Sequence, residues 1–459
     1  MKLRLSEIAA YTNGRLHGAD VGVRGVFTDT RKPQPEALFV ALIGETFDAH
    51  HFVDVAKRGG AAAALVSKAL DIDLPQVIVP DTQLALGRLA AALRERSHAR
   101  VVGITGSNGK TTVKTLLAAI LALHGRTHVN AGNLNNEIGL PLSILAMPED
   151  TQYAVLEMGA GKPGDIAYLA AIARPEIGLV NNIAQAHLER MGTLEGIAET
   201  KGAIYSELPQ HGIAVINADD TFASLFTRLA GARRVLRFGL DHAADVRGEI
   251  GALGASSRFT LIAAGARADV TLPLAGRHNV QNALAAATLA LALDVPLDTI
   301  KRGLESATPV SGRLIRHAMP GGWTLIDDSY NANPGSAAAA IATLAVEPGE
   351  AWLVLGDMRE LGADAPQLHA HIGTLAREHG IARLYTVGAL SQQAALAFGA
   401  NARHFDDQNA LASTLGGDVR PGIRVLVKGS RGSAMDRIVR ALLGESNGNS
   451  GSGGARHAA

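Results

Sequence analysis

The sequence predicts an α/β protein of three domains, in which two doubly wound parallel sheets follow a smaller α/β domain. Three observations support this fold class. Short apolar runs alternate with helical patterns, most runs end in glycine or polar residues, and 459 residues exceed what one ordinary hydrophobic core accommodates. We therefore expect domains at residues 1–97, 98–310 and 311–443, followed by a low-complexity, disordered tail at 444–459.

The composition narrows the possible functions. Lys plus Arg and Asp plus Glu both number 43, so no basic excess indicates a nucleic-acid partner. The absence of cysteine excludes disulfides, thiol catalysis and thiolate metal sites. Charges interrupt the first residues, unlike a signal peptide, and no apolar run approaches the roughly 18 residues of a membrane-spanning helix. We expect a soluble protein of the reducing cytoplasm.

The first domain is predicted to alternate short strands with helices. The predicted strands are residues 26–31, 37–42, 62–66 and 76–79, and the predicted helices are residues 3–10, 52–59 and 81–96. Pro33 and Pro35 mark the turn between the first two strands, and Asp81 or Thr82 caps the last helix.

The second domain begins with a strand, a glycine-rich loop and a helix. The residues in order are Val101, Val102, Gly103, Ile104, Gly106, Gly109, Lys110 and Thr111, followed by an apolar helical pattern. This order is typical of a phosphate-binding loop, because glycines let backbone N–H groups surround phosphate oxygens at a helix N-terminus. Lys110 would reach the terminal phosphates and Thr111 would hold Mg²⁺. The common motif has glycine where this chain has Ile104, and a structural turn is the alternative.

Later strands of the second domain end in residues that could serve this loop. Parallel strands are predicted at 154–158, 177–180 and 212–216, antiparallel strands within 233–273, and a helix at 279–293. Ligands collect at the carboxyl ends of parallel strands, which favours Glu157 as a Mg²⁺ ligand over a helix-capping or solvated role. His187 follows another strand end, although a lone histidine is more often structural, and Lys201 by itself is unremarkable.

The third domain repeats the pattern and makes a second, Rossmann-like sheet. Its predicted strands are residues 323–326, 351–355, 383–387 and 423–427. Asp327 and Asp328 end the first strand, with Asn331 shortly after. They predict either a turn or hydrogen bonds to a ligand across a cleft between domains. Lys428, at the last strand end, indicates either an anion site or a solvated loop.

These segments resemble, in order, motifs of the Mur ligases of peptidoglycan synthesis. The matching stretches are residues 28–31 (TDTR), 103–112 (GITGSNGKTT), 132–141 (GNLNNEIGLP), 157–160 (EMGA), 186–189 (AHLE), 276–282 (GRHNVQN), 311–313 (SGR), 327–334 (DDSYNANP) and 355–362 (LGDMRELG). The resemblance covers nearly the whole chain and includes the glycine spacing around Ile104. The last two motifs point to the members that add a dipeptide. Glu36 departs from the family, which often has glycine before the strand at 37–42.

The resemblance implies ATP-dependent ligation of D-alanyl-D-alanine to UDP-N-acetylmuramoyl-tripeptide through an acyl phosphate, in a monomeric enzyme. It places ATP contacts on Gly106, Ser107, Asn108, Gly109, Lys110, Thr111, Thr112, Asn282, Arg313, Asp328 and Asn331. It places Mg²⁺ ligands on Thr111, Glu157, His187 and Lys201, the last as a carbamate, and the uridine-nucleotide contacts on Thr30 and Arg31. Lys110, His187 and Lys201 are the implied catalytic residues.

Two kinds of alternative remain open from the sequence. The chain could be another ligase of the same superfamily, either the enzyme that adds the third stem residue or a folylpolyglutamate synthase. The first domain argues against the folate enzyme. A nucleotide-driven ATPase switch would use the same loop but would leave the polar clusters of the third domain without a role.

Overall fold

The computed structural model describes residues 1–185 and 188–445. It contains three large sheets of five, nine and six strands, in chain order, and one additional two-stranded pair near the N-terminus. Each large sheet carries helices, so the predicted α/β class with three successive sheets is confirmed. The predicted boundaries at 97/98 and 310/311 fall in connections between these sheets, and the domain limits themselves stay a prediction.

The N-terminal sheet has the strand order β2-β7-β6-β5-β4, and β1 pairs with β3. Its strands are β1 (Leu3–Arg4), β2 (Arg15–His17), β3 (Gly22–Val23), β4 (Val26–Phe27), β5 (Leu38–Val40), β6 (Ala63–Val66) and β7 (Gln76–Ile78). Its helices are α1 (Leu5–Thr12), α2 (Val53–Arg58) and α3 (Thr82–Arg96). The Asp81 carboxylate caps α3 by accepting from the backbone N–H groups of Gln83 and Leu84.

The central sheet has the order β16-β15-β14-β13-β12-β11-β8-β10-β9. Its strands are β8 (Arg100–Thr105), β9 (Thr127–Val129), β10 (Tyr153–Glu157), β11 (Ile177–Val180), β12 (Ile213–Asn217), β13 (Arg234–Gly239), β14 (Val246–Leu253), β15 (Ser257–Ala263) and β16 (Ala266–Leu272). Its helices are α4 (Lys110–Ala122), α5 (Gly139–Leu145), α6 (Asp165–Ala173), α7 (Leu188–Met191), α8 (Leu194–Ser206), α9 (Ala223–Ala230), α10 (Arg277–Ala292) and α11 (Leu297–Glu305).

The C-terminal sheet has the order β17-β18-β22-β19-β20-β21, with only the edge strand β17 antiparallel to its neighbour. Its strands are β17 (Ile315–Met319), β18 (Trp323–Asp328), β19 (Ala351–Gly356), β20 (Arg383–Val387), β21 (Ala402–Phe405) and β22 (Arg424–Lys428). Its helices are α12 (Pro334–Val346), α13 (Ala365–Glu378), α14 (Gln392–Phe398), α15 (Gln408–Asp418) and α16 (Asp436–Leu442).

The two larger sheets are covered on both faces, as the apolar runs predict. In β19, Trp352 and Val354 pack into one hydrophobic cluster and Leu353 and Leu355 into another. Successive side chains of a strand point to opposite faces, so an unbroken apolar run requires a cover on each side. The central sheet divides in the same way, and one of its two clusters continues into the N-terminal domain.

The N-terminal and central domains share a packed interface. Helix α3 lies against α5 and α6, and its buried Arg94 donates from Nε to the carbonyl oxygen of Ala173 at 2.9 Å. A shared apolar core and a buried arginine satisfied by a backbone carbonyl hold the two domains in one arrangement.

One prediction of local structure is wrong and a second is confirmed only in part. The strand predicted at 26–31 ends at Phe27, because the Asp29 carboxylate accepts the Arg31 N–H at 3.0 Å and forms a turn instead. Within 233–273, β13 is parallel to both of its neighbours, and only β14, β15 and β16 are antiparallel to one another. Strand alternation does not encode direction, which follows from how the connection returns to the sheet.

Two further predictions concern the membrane and the chain end. Within residues 1–185 and 188–445, no helix combines the length and apolar character needed to cross a membrane. The predicted disordered tail lies outside the described residues from 446 onward.

Candidate functional site

The glycine-rich loop joins β8 to α4 at the carboxyl edge of the central sheet. Gly106 has φ +143° and Gly109 has φ +79°, conformations that favour glycine. A Cβ at Gly109 would collide with the side-chain amides of Asn282 and Asn181. The loop therefore requires glycine at 109 for two reasons, its backbone conformation and its close contact with α10.

The segment after β11 holds this loop from behind. Asn182 Oδ1 accepts from the Asn108 N–H at 2.9 Å, and its carbonyl oxygen accepts from the Ser107 N–H at 2.8 Å. Asn181 Nδ2 donates to the Asn108 carbonyl oxygen and to Asn282 Oδ1, both at 2.9 Å. These bonds fix the loop before any ligand binds, so its remaining N–H groups are oriented in advance.

Lys110 begins α4 and folds back over the loop. Its Nζ donates to the Gly106 carbonyl oxygen at 2.8 Å, at the concave side of the loop. Burial lowers the pKa of Lys110, an effect that the nearby Glu157 carboxylate opposes. The Lys110 ammonium therefore lies at the loop, and its contact with phosphate oxygens stays a prediction.

Glu157, the last residue of β10, is buried beside the first turn of α4. Its Oε2 accepts from Thr111 Oγ1 at 3.0 Å, and its Oε1 accepts from Asn135 Nδ2 at 2.8 Å. Burial works against ionisation of Glu157, but Lys114 and Lys110 outweigh it and hold the pKa of the carboxyl below its usual value. The structure thus brings Thr111 and Glu157 together, so that their oxygen atoms could both bind one cation.

Lys114 belongs to this network, although it is not among the predicted site residues. It lies one turn after Lys110 on α4, is 5% exposed, and its Nζ is 3.2 Å from Glu157 Oε2. The same Nζ donates to the carbonyl oxygens of Asn130 at 3.0 Å and Gly132 at 3.2 Å. A lysine on the apolar face of an amphipathic helix was the available signal, since such a position is normally hydrophobic.

Lys201, on α8, is 1% exposed. Its Nζ has no hydrogen-bond or ion-pair partner among the described residues. Burial lowers the pKa of Lys201 to about 7, nearby Lys110 contributes to the decrease, and Asp165 opposes it. Much of this side chain is therefore a neutral amine at neutral pH, unlike an ordinary surface lysine.

Arg313 connects the C-terminal domain to the phosphate loop. Its Nη2 donates to Thr111 Oγ1 at 3.1 Å, and its Cζ lies 4.6 Å from the centre of the Tyr330 ring. A second contact between the domains joins Asn333 Nδ2 to Asn108 Oδ1 at 2.8 Å. The third domain thus meets the loop directly.

Asp328 and Asn331 lie nearby but bind residues of their own domain. Asp328 Oδ2 accepts from Lys428 Nζ at 2.6 Å, and Lys428 also donates to the Asn331 carbonyl oxygen at 3.0 Å. Asn331 Oδ1 accepts from the Arg431 N–H at 3.2 Å. Lys428 is therefore a buried partner of Asp328 and does not sit in a solvated loop.

The other predicted site residues are placed as follows. Thr30 and Arg31 lie in the turn after β4, where the exposed Arg31 pairs with Asp29, and no described hydrogen bond joins them to the phosphate loop. Thr112 is buried in the first turn of α4. His187 lies outside the described residues. Glu36 has φ +60°, so the family's usual glycine has a physical reason here.

The loop network fits a magnesium nucleotide. In the described part of the chain, Arg313 Nε and Asn181 Oδ1 are buried without hydrogen-bond partners, and both residues adjoin the loop. Buried polar atoms of this kind normally have a partner, and phosphate oxygens and ribose hydroxyls are suitable ones. Thr111 and Glu157 supply the oxygen atoms that Mg²⁺ prefers.

Comparisons with known proteins identify relatives of this chain. Family models of the Mur ligase middle domain and of the Mur ligase glutamate ligase domain match residues 104–290 and 312–431. The UDP-N-acetylmuramoyl-tripeptide–D-alanyl-D-alanine ligase of Escherichia coli is 47% identical over 96% of this chain and 98% of its own length.

Solved structures show the same architecture. Acinetobacter baumannii MurF superposes with a TM-score of 0.92 at 34% identity, covering 97% of this chain and 99% of the other. Thermotoga maritima MurF in complex with ADP gives a TM-score of 0.83 at 30% identity, covering 92% and 98%. On the matched domains, the nearly full-length similarity and the phosphate-loop site, the chain belongs to the Mur ligase family.

Proposed function

We propose that this protein is an ATP-dependent, ADP-forming ligase that joins D-alanyl-D-alanine to UDP-N-acetylmuramoyl-tripeptide, producing the pentapeptide precursor of peptidoglycan. The observation that carries the proposal is 47% identity, over nearly all of both chains, to a ligase named for this reaction. The buried network of Lys110, Thr111 and Glu157 supports it, because the ligase chemistry begins with phosphoryl transfer.

In this reaction the tripeptide carboxylate attacks the terminal phosphate of ATP to give an acyl phosphate, and the dipeptide amine then displaces phosphate. Phosphoryl transfer depends mainly on positioning and charge neutralisation. Lys110 would bind the terminal phosphates. The loop from Gly106 to Thr112 would surround the phosphate chain with backbone N–H groups. Thr111 and Glu157 would hold Mg²⁺, which neutralises charge on the phosphates.

Lys201 acts, in this proposal, as a carbamate that binds a second Mg²⁺ together with His187. Only a neutral amine adds to carbon dioxide, and a pKa of about 7 supplies one under physiological conditions. Carbamylation would also give the buried side chain oxygen atoms, which a hard cation accepts. The absence of any described partner for Lys201 Nζ is consistent with a group that becomes bound only after modification.

The remaining residues would hold the two nucleotides. Asn282 and Arg313 contact or adjoin the loop and would meet ATP, whereas Asp328 and Asn331 would support this side of the site through Lys428 and the loop after β22. Thr30 and Arg31 would bind the uridine diphosphate in a domain spanning residues 1–97. We further propose a cytoplasmic monomer whose third domain, residues 311–443, closes over the substrates.

Phosphate release with and without D-alanyl-D-alanine tests the function. We expect release only when ATP, Mg²⁺, UDP-N-acetylmuramoyl-tripeptide and the dipeptide are all present, and product mass should increase by one dipeptide residue. Acceptors that carry lysine or diaminopimelate as the third residue identify the natural tripeptide.

Two results would contradict the proposal. Ligation of a single amino acid to a UDP-N-acetylmuramoyl-dipeptide would indicate the enzyme that adds the third stem residue. ATP hydrolysis that is independent of any acceptor would indicate a nucleotide-driven switch.

A further inference from the structure

A cleft of about 900 Å³ separates α7 of the central domain from the loop that follows β19 in the C-terminal domain. Leu188 and Glu189 line it on the central side, and Arg359, Leu361 and Leu390 line it on the other. The two walls meet where the Glu189 N–H lies 3.4 Å from the Glu360 carbonyl oxygen. The cleft therefore lies between the domains that the proposed reaction must bring together.

Arg359 is the one cation among the described residues that line this cleft. It is exposed, and no described residue forms an ion pair or hydrogen bond with its guanidinium. Most other arginines of this domain are engaged; for example, Arg424 donates to three backbone carbonyl oxygens. An unpaired guanidinium in a concave surface is suited to bidentate recognition of a carboxylate.

Hydrogen bonds at Asp357, two residues before Arg359, hold the backbone of this loop. The Asp357 carboxylate accepts from the N–H groups of Leu390 at 3.1 Å and Ser391 at 2.8 Å. The Asp357 carbonyl oxygen accepts from Ser430 Oγ at 2.7 Å and Ser433 Oγ at 2.8 Å. These bonds join the loop after β19 to the loop after β22, so the arginine extends from a fixed base.

Two further features restrict the same loop. The Met358 N–H donates to Nε2 of the buried His369 at 2.9 Å. A Cβ at Gly432 would lie only 3.0 Å from Arg359 Cδ, so the arginine packs along glycine backbone. Beyond Arg359, Glu360 has φ +64°, a conformation that costs a non-glycine residue about 1 kcal/mol or more. Strain of this kind persists where the surrounding structure holds it, and it is common at binding sites.

The charge distribution of the cleft matches a short zwitterion. Arg359 provides positive charge from the C-terminal domain. Three carboxylates provide negative charge, Glu189 on α7 and Glu360 and Asp364 on the facing loop. Leu188, Leu361 and Leu390 supply apolar surface in the same cleft, suited to methyl groups. A dipeptide spans about 7 Å from its amine to its carboxylate.

We infer that Arg359 binds the terminal carboxylate of the dipeptide acceptor and thereby selects D-alanyl-D-alanine, whose amine then points toward α7 and the central domain. This inference rests on the proposed function. It makes Arg359 a specificity-determining residue: it would bind the end of the acceptor that does not react, and it would exclude acceptors without a free carboxylate.

Steady-state kinetics with two acceptors tests the inference. The probes are D-alanyl-D-alanine and D-alanyl-D-alaninamide, which differ only in the terminal carboxylate. We expect R359A to raise KM for the dipeptide about 10- to 100-fold, the loss of one charge-assisted interaction, with kcat changed by about twofold at most. The amide should show the same weak binding in the wild type and in R359A.

A matched control is R437A, which removes an exposed arginine of the same domain that has no described ion pair and lies outside the cleft. It should leave both KM values unchanged. An R359A enzyme that binds the dipeptide normally, or that loses the amide as strongly as the dipeptide, would overturn the inference. If no dipeptide-dependent phosphate release occurs in the wild type, the proposed function itself fails.

Discussion

Two buried lysines of the central domain have opposite surroundings. Lys114 on α4 has three acceptors within 3.2 Å, namely the Glu157 carboxylate and the carbonyl oxygens of Asn130 and Gly132. Lys201 on α8 has no described partner, and burial lowers its pKa to about 7. An ammonium has three N–H donors, so Lys114 is fully satisfied and Lys201 is not.

We propose that this difference separates a supporting residue, Lys114, from a reactive one, Lys201. Lys114 fixes the position and charge of Glu157, and its replacement should affect folding first. Lys201 is buried without a hydrogen-bond or ion-pair partner among the described residues, which costs stability and leaves an amine available for chemistry. Functional sites commonly contain groups that are unfavourable for stability, because the same surroundings that cost stability give the group the reactivity that the reaction requires.

The largest expected effect is the loss of activity on changing Lys201 to alanine. We expect ligation to fall about 10³-fold or more, because a site for charge neutralisation in the transition state is lost. ATP binding should remain within about threefold of the wild type, since the phosphate loop is intact. Phosphate release and equilibrium ATP binding measure the two effects.

Lys301→Ala, on α11, is the matched control and should retain full turnover. Removal of carbon dioxide should inactivate the wild type, and bicarbonate should restore it. Near-normal turnover of Lys201→Ala would contradict the carbamate.

The next largest effect concerns the stability that the pair of Lys114 and Glu157 provides. Lys114→Met should lower the free energy of unfolding by about 3–5 kcal/mol, because it leaves the buried Glu157 carboxylate without its nearest cation. Denaturant unfolding measures the loss. Adding Glu157→Gln to Lys114→Met should recover part of it, as expected for two residues that interact directly. A loss below about 1 kcal/mol in the single variant would show that the pair is not what stabilises this region.

Lys201→Met should have the opposite effect and raise the free energy of unfolding. We expect a gain of about 1–3 kcal/mol at pH 7 in buffer free of carbon dioxide, because methionine buries without desolvating a charge. The native pKa of about 7 lies below the unfolded value of 10.5, so the unfolded chain binds the extra proton between these values. The wild-type penalty is therefore fully present below pH 7 and disappears as the pH rises through 10.5. The gain should shrink accordingly, and a gain independent of pH would point to packing alone.

The smallest expected effect measures the backbone strain at Glu36, a position in the N-terminal domain away from both lysines. Glu36→Gly should raise the free energy of unfolding by about 1 kcal/mol or less, because glycine adopts φ +60° without steric cost but has more freedom when unfolded. Glu36→Ala is the control, since it also removes the exposed ion pair with Arg24 but keeps the strained backbone. Equal melting temperatures for the two variants would show that the backbone at this position carries no measurable strain.

Local sequence was sufficient for much of the fold and part of the site. The apolar runs identified the buried parallel strands of the two larger sheets to within a few residues, but not β9, β17 and β21, which lie at sheet edges. Glycine spacing located the phosphate loop. The rule that ligands gather at strand ends selected Glu157, which the structure places beside Thr111. Strand direction in residues 233–273 and the early end of the strand at Phe27 were missed, because both depend on contacts that the alternation pattern does not record.

What the sequence by itself determined is where most buried strands and several helices form, where the loop lies, and which family the motifs resemble. These properties depend on periodicity and turn chemistry within about ten residues. The tertiary structure alone decided which polar groups meet. Thr111 and Arg313 are 202 positions apart, and the pairing of Lys114 with Glu157 exists because β10 lies beside β8 in the sheet although β9 precedes it in the chain. The same packing leaves Lys201 buried without a described partner. Its position on the apolar face of α8, in line with Ile197, Ile204 and Tyr205, indicates burial, but only the tertiary structure decides that no partner meets it.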